Sequence, residues 1–174
     1  MRKKMLTPKL FLVSFLIGIL IVAYLETTYT FKPCELSRKL LTEKRFGIFF
    51  AYQITRIPAN LTVVESKDAN ITIGISIDPW VINFGEVPKG VGVKKEILVT
   101  SSESLAKVYI RIYGNISKVI NPSENAFLIK SGEQKVVKLY ANITSEVKEG
   151  NYMGEVDIIV LKPKFPFILF LLRI

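Results

Sequence analysis

The feature that most constrains this chain is a period of two in its apolar residues, which begins at Phe46 and persists to Leu161. Ile48, Phe50, Tyr52 and Ile54 alternate with Phe49, Ala51, Gln53 and Thr55. Ile71, Ile73, Ile75 and Ile77 alternate with Thr72, Gly74 and Ser76, the cleanest strand in the sequence. Val93, Ile97 and Val99 follow, with Lys95 breaking the pattern; then Val108, Ile110 and Ile112 oppose Lys107, Tyr109, Arg111 and Tyr113. Phe127 to Ile129, a Ser131-Gly132 turn, Val136 to Ala141 and Tyr152 to Leu161 complete the series. Side chains on a strand alternate between its faces, so each segment offers one face to a core. Short strands at this spacing, separated by Gly, Pro, Asn and Ser, predict an all-β fold, an antiparallel β-sandwich.

Two segments depart from that period. Leu10 to Leu25 holds 14 apolar residues in 16, behind Arg2, Lys3, Lys4 and Lys9. With its flanks it approaches the ~20 residues that cross a bilayer as a helix. Ala23-Tyr24-Leu25-Glu26-Thr27-Thr28 lacks a clean pair of small residues for cleavage, so a retained signal anchor is expected over 1–25. The basic cluster places the N-terminus in the cytoplasm and everything after Glu26 outside. A short helix is expected over Pro33–Arg45, with Leu36 and Leu40 on one face and Lys44-Arg45 in its last turn. The chain thus divides into an anchor (1–25), a membrane-proximal segment (26–56), the sandwich (57–161) and a hydrophobic tail (162–174).

The formal charge of +9 suggests a polyanionic partner until it is located. Residues 1–25 carry +4, 26–56 carry +3, 57–161 carry −1 and 162–174 carry +3. A nucleic-acid-binding domain places its basic face within its folded part, so no nucleic-acid partner is expected. The absence of His removes the commonest general base and zinc ligand, and a single Cys excludes an internal disulfide. No phosphate-binding loop, metal-ligand spacing or nucleophile with a base is present. Catalytic, metal and cofactor-binding residues are therefore expected to be none, and no small-molecule substrate is expected.

Four sequons, at Asn60, Asn70, Asn115 and Asn142, exceed the one or so that chance would place and mark glycosylation candidates in an extracytoplasmic chain. Gathering of Asn and Thr at strand ends is the alternative. Cys34 reads as an unpaired or partly buried thiol, with an intermolecular disulfide as the alternative. Tyr109, Arg111 and Tyr113 form a same-face stripe that reads as a solvated face or, being residues that binding surfaces enrich, as the first candidate for a contact patch. Glu155 and Asp157 also share a face, read as an exposed polar surface or, alternatively, a cation site. In the tail, eight of ten residues from Phe165 to Ile174 are apolar. It is either a last strand or a segment in which Phe165, Phe167 and Phe170 touch the membrane, with Lys162 and Lys164 at the interface.

The stretch Asp78-Pro79-Trp80-Val81-Ile82-Asn83-Phe84-Gly85-Glu86-Val87-Pro88-Lys89-Gly90 resembles the opening of immunoglobulin-like domains of the major-sperm-protein/PapD/Hydin type. Ser131-Gly132-Glu133 before a strand also suits that pattern, and Glu149-Gly150-Asn151-Tyr152-Met153-Gly154 is similar to a tyrosine corner. The resemblance covers about residues 70–161 and implies an immunoglobulin-like sandwich without implying a function. Usage rich in Ile, Lys and Glu suggests a hyperthermophilic archaeon. Together these readings lead to a single-pass membrane protein of the cell envelope, whose extracytoplasmic domain binds an envelope protein, a surface layer or a filament. A noncatalytic accessory subunit of a membrane complex is the alternative.

Overall fold

The computed structural model describes residues 8–28, 35–65, 80–101, 105–165 and 168. It contains one α-helix, α1 (Pro8–Thr28), and strands that form two mostly antiparallel sheets. The larger sheet is built around β2 (Phe50–Val64) and β9 (Gly150–Pro163), which pair antiparallel from Phe50/Pro163 to Val63/Gly150. Beyond β9 lie β5 (Ala106–Gly114) and then β7 (Ala126–Ile129). On its other edge β2 carries β1 (Leu41–Phe46), antiparallel, along its first half and β3 (Ile82–Pro88), parallel, along its second. The smaller sheet has the order β4 (Gly92–Thr100), β8 (Gln134–Asn142) and β6 (Ile120–Pro122).

The alternation read from the sequence sorts residues between two cores. Ala59, Leu61 and Val63 of β2, Val156 and Ile158 of β9, and Val108 and Ile110 of β5 meet Val99, Ile120, Val137, Leu139 and Ala141 of the smaller sheet in one hydrophobic cluster. The opposite face of the larger sheet has a second cluster of Phe50, Tyr52, Ile54, Ile159 and Leu161, closed by Ala23 of α1 and by Ile168. Strands β2 and β9 are therefore covered on both faces, which explains their lack of a clean apolar/polar alternation.

The helix expected over Pro33–Arg45 is absent from the described part of that segment. Residues 41–46 are β1, paired with Arg56 through Ala51 of β2, and 35–40 are irregular. An isolated helix of that length is marginal in water, whereas an open edge of β2 offers a full ladder of backbone partners. Glu43, on that strand, also reaches Arg45 at 2.9 Å and Arg56 at 3.5 Å. The strand expected from Phe46 onward is interrupted, because Gly47 to Phe49 form the hairpin turn, closed by the Gly47 amide donating to the Phe50 carbonyl at 2.9 Å. The boundary drawn between 56 and 57 falls inside β2, so the membrane-proximal segment supplies part of the larger sheet. The strand expected at Ile71–Ile77 lies outside the described residues, as does Cys34.

In α1, Phe11, Leu12, Val13, Phe15, Leu16 and Ile17 are each more than half exposed. At 100° per residue these positions span about 240° of the helix, and Ile21 and Leu25, also more than half exposed, fall in the remaining sector. Among the described residues no helix is long and apolar enough to cross a membrane. The C-terminal end of α1 is tied to the sheet: the Glu26 carboxylate accepts the Phe49 amide at 3.0 Å, and the Tyr52 hydroxyl donates to the Glu26 carbonyl at 2.8 Å. Burial and the nearby Glu26 charge push the Tyr52 hydroxyl well above its ordinary pKa.

Candidate functional site

The face of the larger sheet turned away from the smaller one carries the chain's most unusual chemistry. Register places Arg56 and Arg111 on either side of Asp157, and Pro58 and Tyr113 on either side of Glu155. Glu43 of β1 lies one row along, opposite Ile54. Asp157 and Glu155 are fully buried, and Arg56 is 8% exposed. The irregular residues after α1 cover part of this face, with the Ser37 amide donating to Glu155 Oε2 at 2.6 Å.

The charges are poorly matched. Arg56 Nη1 lies 3.5 Å from Glu43, and Arg56 Nε lies 3.8 Å from Asp157 Oδ2, an ion pair too long to be a hydrogen bond. Among the described residues both Asp157 oxygens and Glu155 Oε1 are buried without a hydrogen-bond partner. Burial, reinforced by the Glu155 carboxylate and opposed by Arg56, raises the Asp157 pKa from 3.8 to about 7. Asp157 therefore exchanges a proton near neutrality. Among the described residues no group of three His, Cys, Asp or Glu side chains could hold a metal ion.

Glu155 and Asp157 do share a face, as their spacing predicts, but that face is not exposed. The overlooked signal is the run Ile158-Ile159-Val160-Leu161, apolar at consecutive positions, which marks a strand covered on both sides. Tyr109, Arg111 and Tyr113 also share this face and are half-buried rather than open. The Arg111 guanidinium and the Lys107 ammonium each lie 5.6 Å from the centre of the Tyr109 ring. The stripe and the buried acids are thus one surface. Burial, and the Asp157 charge after it, push the Tyr113 hydroxyl upward.

The sequon asparagines are scattered. Asn60 is on β2 between Met153 and Asn83, with its Oδ1 buried. Asn115 is exposed, but its amide nitrogen donates to the Asn151 carbonyl and its Oδ1 accepts the Met153 amide. Asn142 is exposed at the end of β8. Asn70 lies outside the described residues, as do Phe167 and Phe170. Phe165 is exposed beside the hairpin, where the Lys164 amide donates to the Phe49 carbonyl at 2.8 Å. Past β9 the described tail residues do not form a strand, and Ile168 is buried against α1 and the sheet.

Comparison with protein-family models, curated proteins and solved structures finds no significant match.

Proposed function

We propose that this chain is a membrane-anchored, extracytoplasmic immunoglobulin-like module that binds another envelope protein, a surface layer or a filament. The observation that carries this reading is α1, 21 residues long and apolar on every side at its described, exposed positions. A helix apolar all round is stable only when something apolar surrounds it, and among the described residues Ala23 is the one fully buried position of α1. In the sequence a basic cluster, Arg2, Lys3 and Lys4, precedes α1, and such a cluster orients an anchor with its N-terminus inside.

The immunoglobulin-like reading is supported by two sheets contributing to one core and by the Tyr152 hydroxyl, which donates to the Lys148 carbonyl at 2.8 Å as a tyrosine corner does. Tyr109, Arg111 and Tyr113 are the proposed contact patch, and binding rather than catalysis is the proposed activity. The packing of Ile168 with Ala23 favours a second reading, an accessory subunit of a membrane complex held by both ends.

Full-length protein in native membranes is expected to stay in the pellet after alkaline carbonate extraction and to require detergent for release. Release by carbonate alone would remove the anchor. Crosslinking followed by mass spectrometry then separates the two readings, by surface-layer or filament partners against integral-membrane ones. If the chain is glycosylated on its outer side, Asn142→Gln is expected to lower the apparent mass by one glycan and Asn60→Gln to leave it unchanged. A shift from Asn60→Gln instead would contradict the burial of its side-chain oxygen.

A further inference from the structure

The β1–β2 hairpin presents an apolar tip that the sandwich does not use. Phe46, at the end of the mostly exposed β1, is 73% exposed and Ile48 is 66% exposed, whereas Phe50, two residues further on, is fully buried. The tip lies beside the last turns of α1. A cleft of about 470 Å³ runs between them, lined by Val22, Leu25, Phe46, Ile48 and Tyr52, with Arg45 at its margin. Phe165, itself exposed, is reached directly from this hairpin, because Lys164 is bonded to it through both backbone and side chain, to Phe49 and Gly47. The Lys164 ammonium also lies 5.6 Å from the centre of the Phe46 ring. Exposed Lys44 and Arg45 immediately precede Phe46.

We propose that this hairpin tip is a second membrane contact, with Phe46 and Ile48 entering the headgroup layer of an anionic bilayer beside α1. This rests on the reading of α1 as an anchor. The tip is continuous with α1 at the level of Val22 and Leu25, so a bilayer that holds the helix meets the hairpin at the same depth. Aromatic and large apolar residues on the rim with cations just behind them are what a headgroup boundary selects: the rings sit at the interface and the long basic side chains reach phosphate. The anionic preference follows from Lys164, whose ammonium sits at the tip against the Gly47 carbonyl and the Phe46 ring, and from the exposed Lys44 and Arg45 that precede Phe46 on β1. The hairpin also fixes orientation. A helix alone leaves the module free to swing, whereas two contacts a few ångströms apart and joined by the Glu26 bonds hold the sheet end-on to the surface.

The test uses full-length chain in lipid nanodiscs with a single fluorescent Trp. The sequence has one Trp, Trp80, so a Trp80→Phe background accepts either Ile17→Trp in α1 or Ile48→Trp at the tip. Lipids brominated near the acyl midplane report on position 17, and lipids brominated near the headgroup report on position 48. Interfacial elements bury their apolar residues by about 5–10 Å, close enough for contact quenching, so emission from position 48 is expected to fall about twofold. Quenching at 17 without quenching at 48 overturns the hairpin contact and leaves the anchor standing. No quenching at 17 overturns the anchor and the contact with it. Emission of Trp80 in the unaltered chain, beyond the middle of β2, is expected to be unaffected, and its quenching would overturn the end-on orientation. Adding phosphatidylglycerol to neutral discs is expected to strengthen quenching at 48, and equal quenching in both would overturn the anionic preference.

Discussion

Asp157→Asn is expected to make the protein more stable above pH 7 and to remove most of its pH dependence between pH 5 and 8. Asp157 titrates near 3.8 when unperturbed and near 7 in the fold, so between these values the folded state holds a proton that the unfolded chain has lost. Stability from this group is fully present below the unfolded pKa and declines as pH rises towards the folded one. The shift corresponds to about 4 kcal/mol across that window. This is opposite in sign to the usual carboxylate, which is ion-paired in the fold and loses stability on acidification. Arg56 and Glu43, Glu155 beside it on β9, and Arg111 and Tyr113 from β5 are the charged and titratable neighbours, and Arg56 is too far to offset burial. Chemical unfolding of the full chain in nanodiscs at pH 5 and pH 8 measures the effect. A wild type equally stable at both values, or an Asn variant that keeps the dependence, would show that water or another donor reaches Asp157.

The second large effect is steric. Gly154 and Gly114 are register partners where β9 crosses β5, and the 3-10 turn Asn115–Lys118 folds back over them. A Cβ on Gly154 would overlap the Tyr113 carbonyl oxygen and come within 2.6 Å of Ile116 Cγ2. Gly114 has φ +90°, and a Cβ there would lie 2.5 Å from the Met153 carbonyl oxygen. Because the obstacles are mostly backbone, no rotamer change relieves them. Gly154→Ala is expected to destabilise by about 3 kcal/mol or more, at the upper end of overpacking effects. Gly132→Ala, at a turn with open space around its Cα, is the comparison and is limited to the cost of its positive φ. Denaturant midpoints of the two variants decide the matter: comparable losses would mean that β5 and β9 can separate to admit a methyl group.

Both effects sit on β9, and its sequence shows how far residue patterns reach. The Tyr152 hydroxyl donates to the Lys148 carbonyl, a contact between residues four positions apart and so within reach of a local pattern. That Glu155 and Asp157 share a face is legible for the same reason. Their burial is not, because it requires knowing that residues 35–40 return to cover a strand more than a hundred positions later, with Ser37 bonded to Glu155. The same limit explains β1. Its residues suit a helix by local spacing, and only the open edge of β2 makes the extended form the better one.

From residue order alone come the all-β body, the strand faces of β5 and β9, the apolar helix ahead of them, and a charge excess confined to the ends. Each is a local periodicity or a local sum, and backbone geometry converts such patterns directly into faces and segments. Tertiary structure alone places Asp157 and Glu155 in a buried layer, turns Phe46 to Phe49 into a hairpin tip with Phe46 and Ile48 exposed, and brings Ala23, Ile168 and that tip to one end of the larger sheet. Burial and proximity depend on which distant segment covers a surface, and nothing in a strand's own alternation records what lies above it.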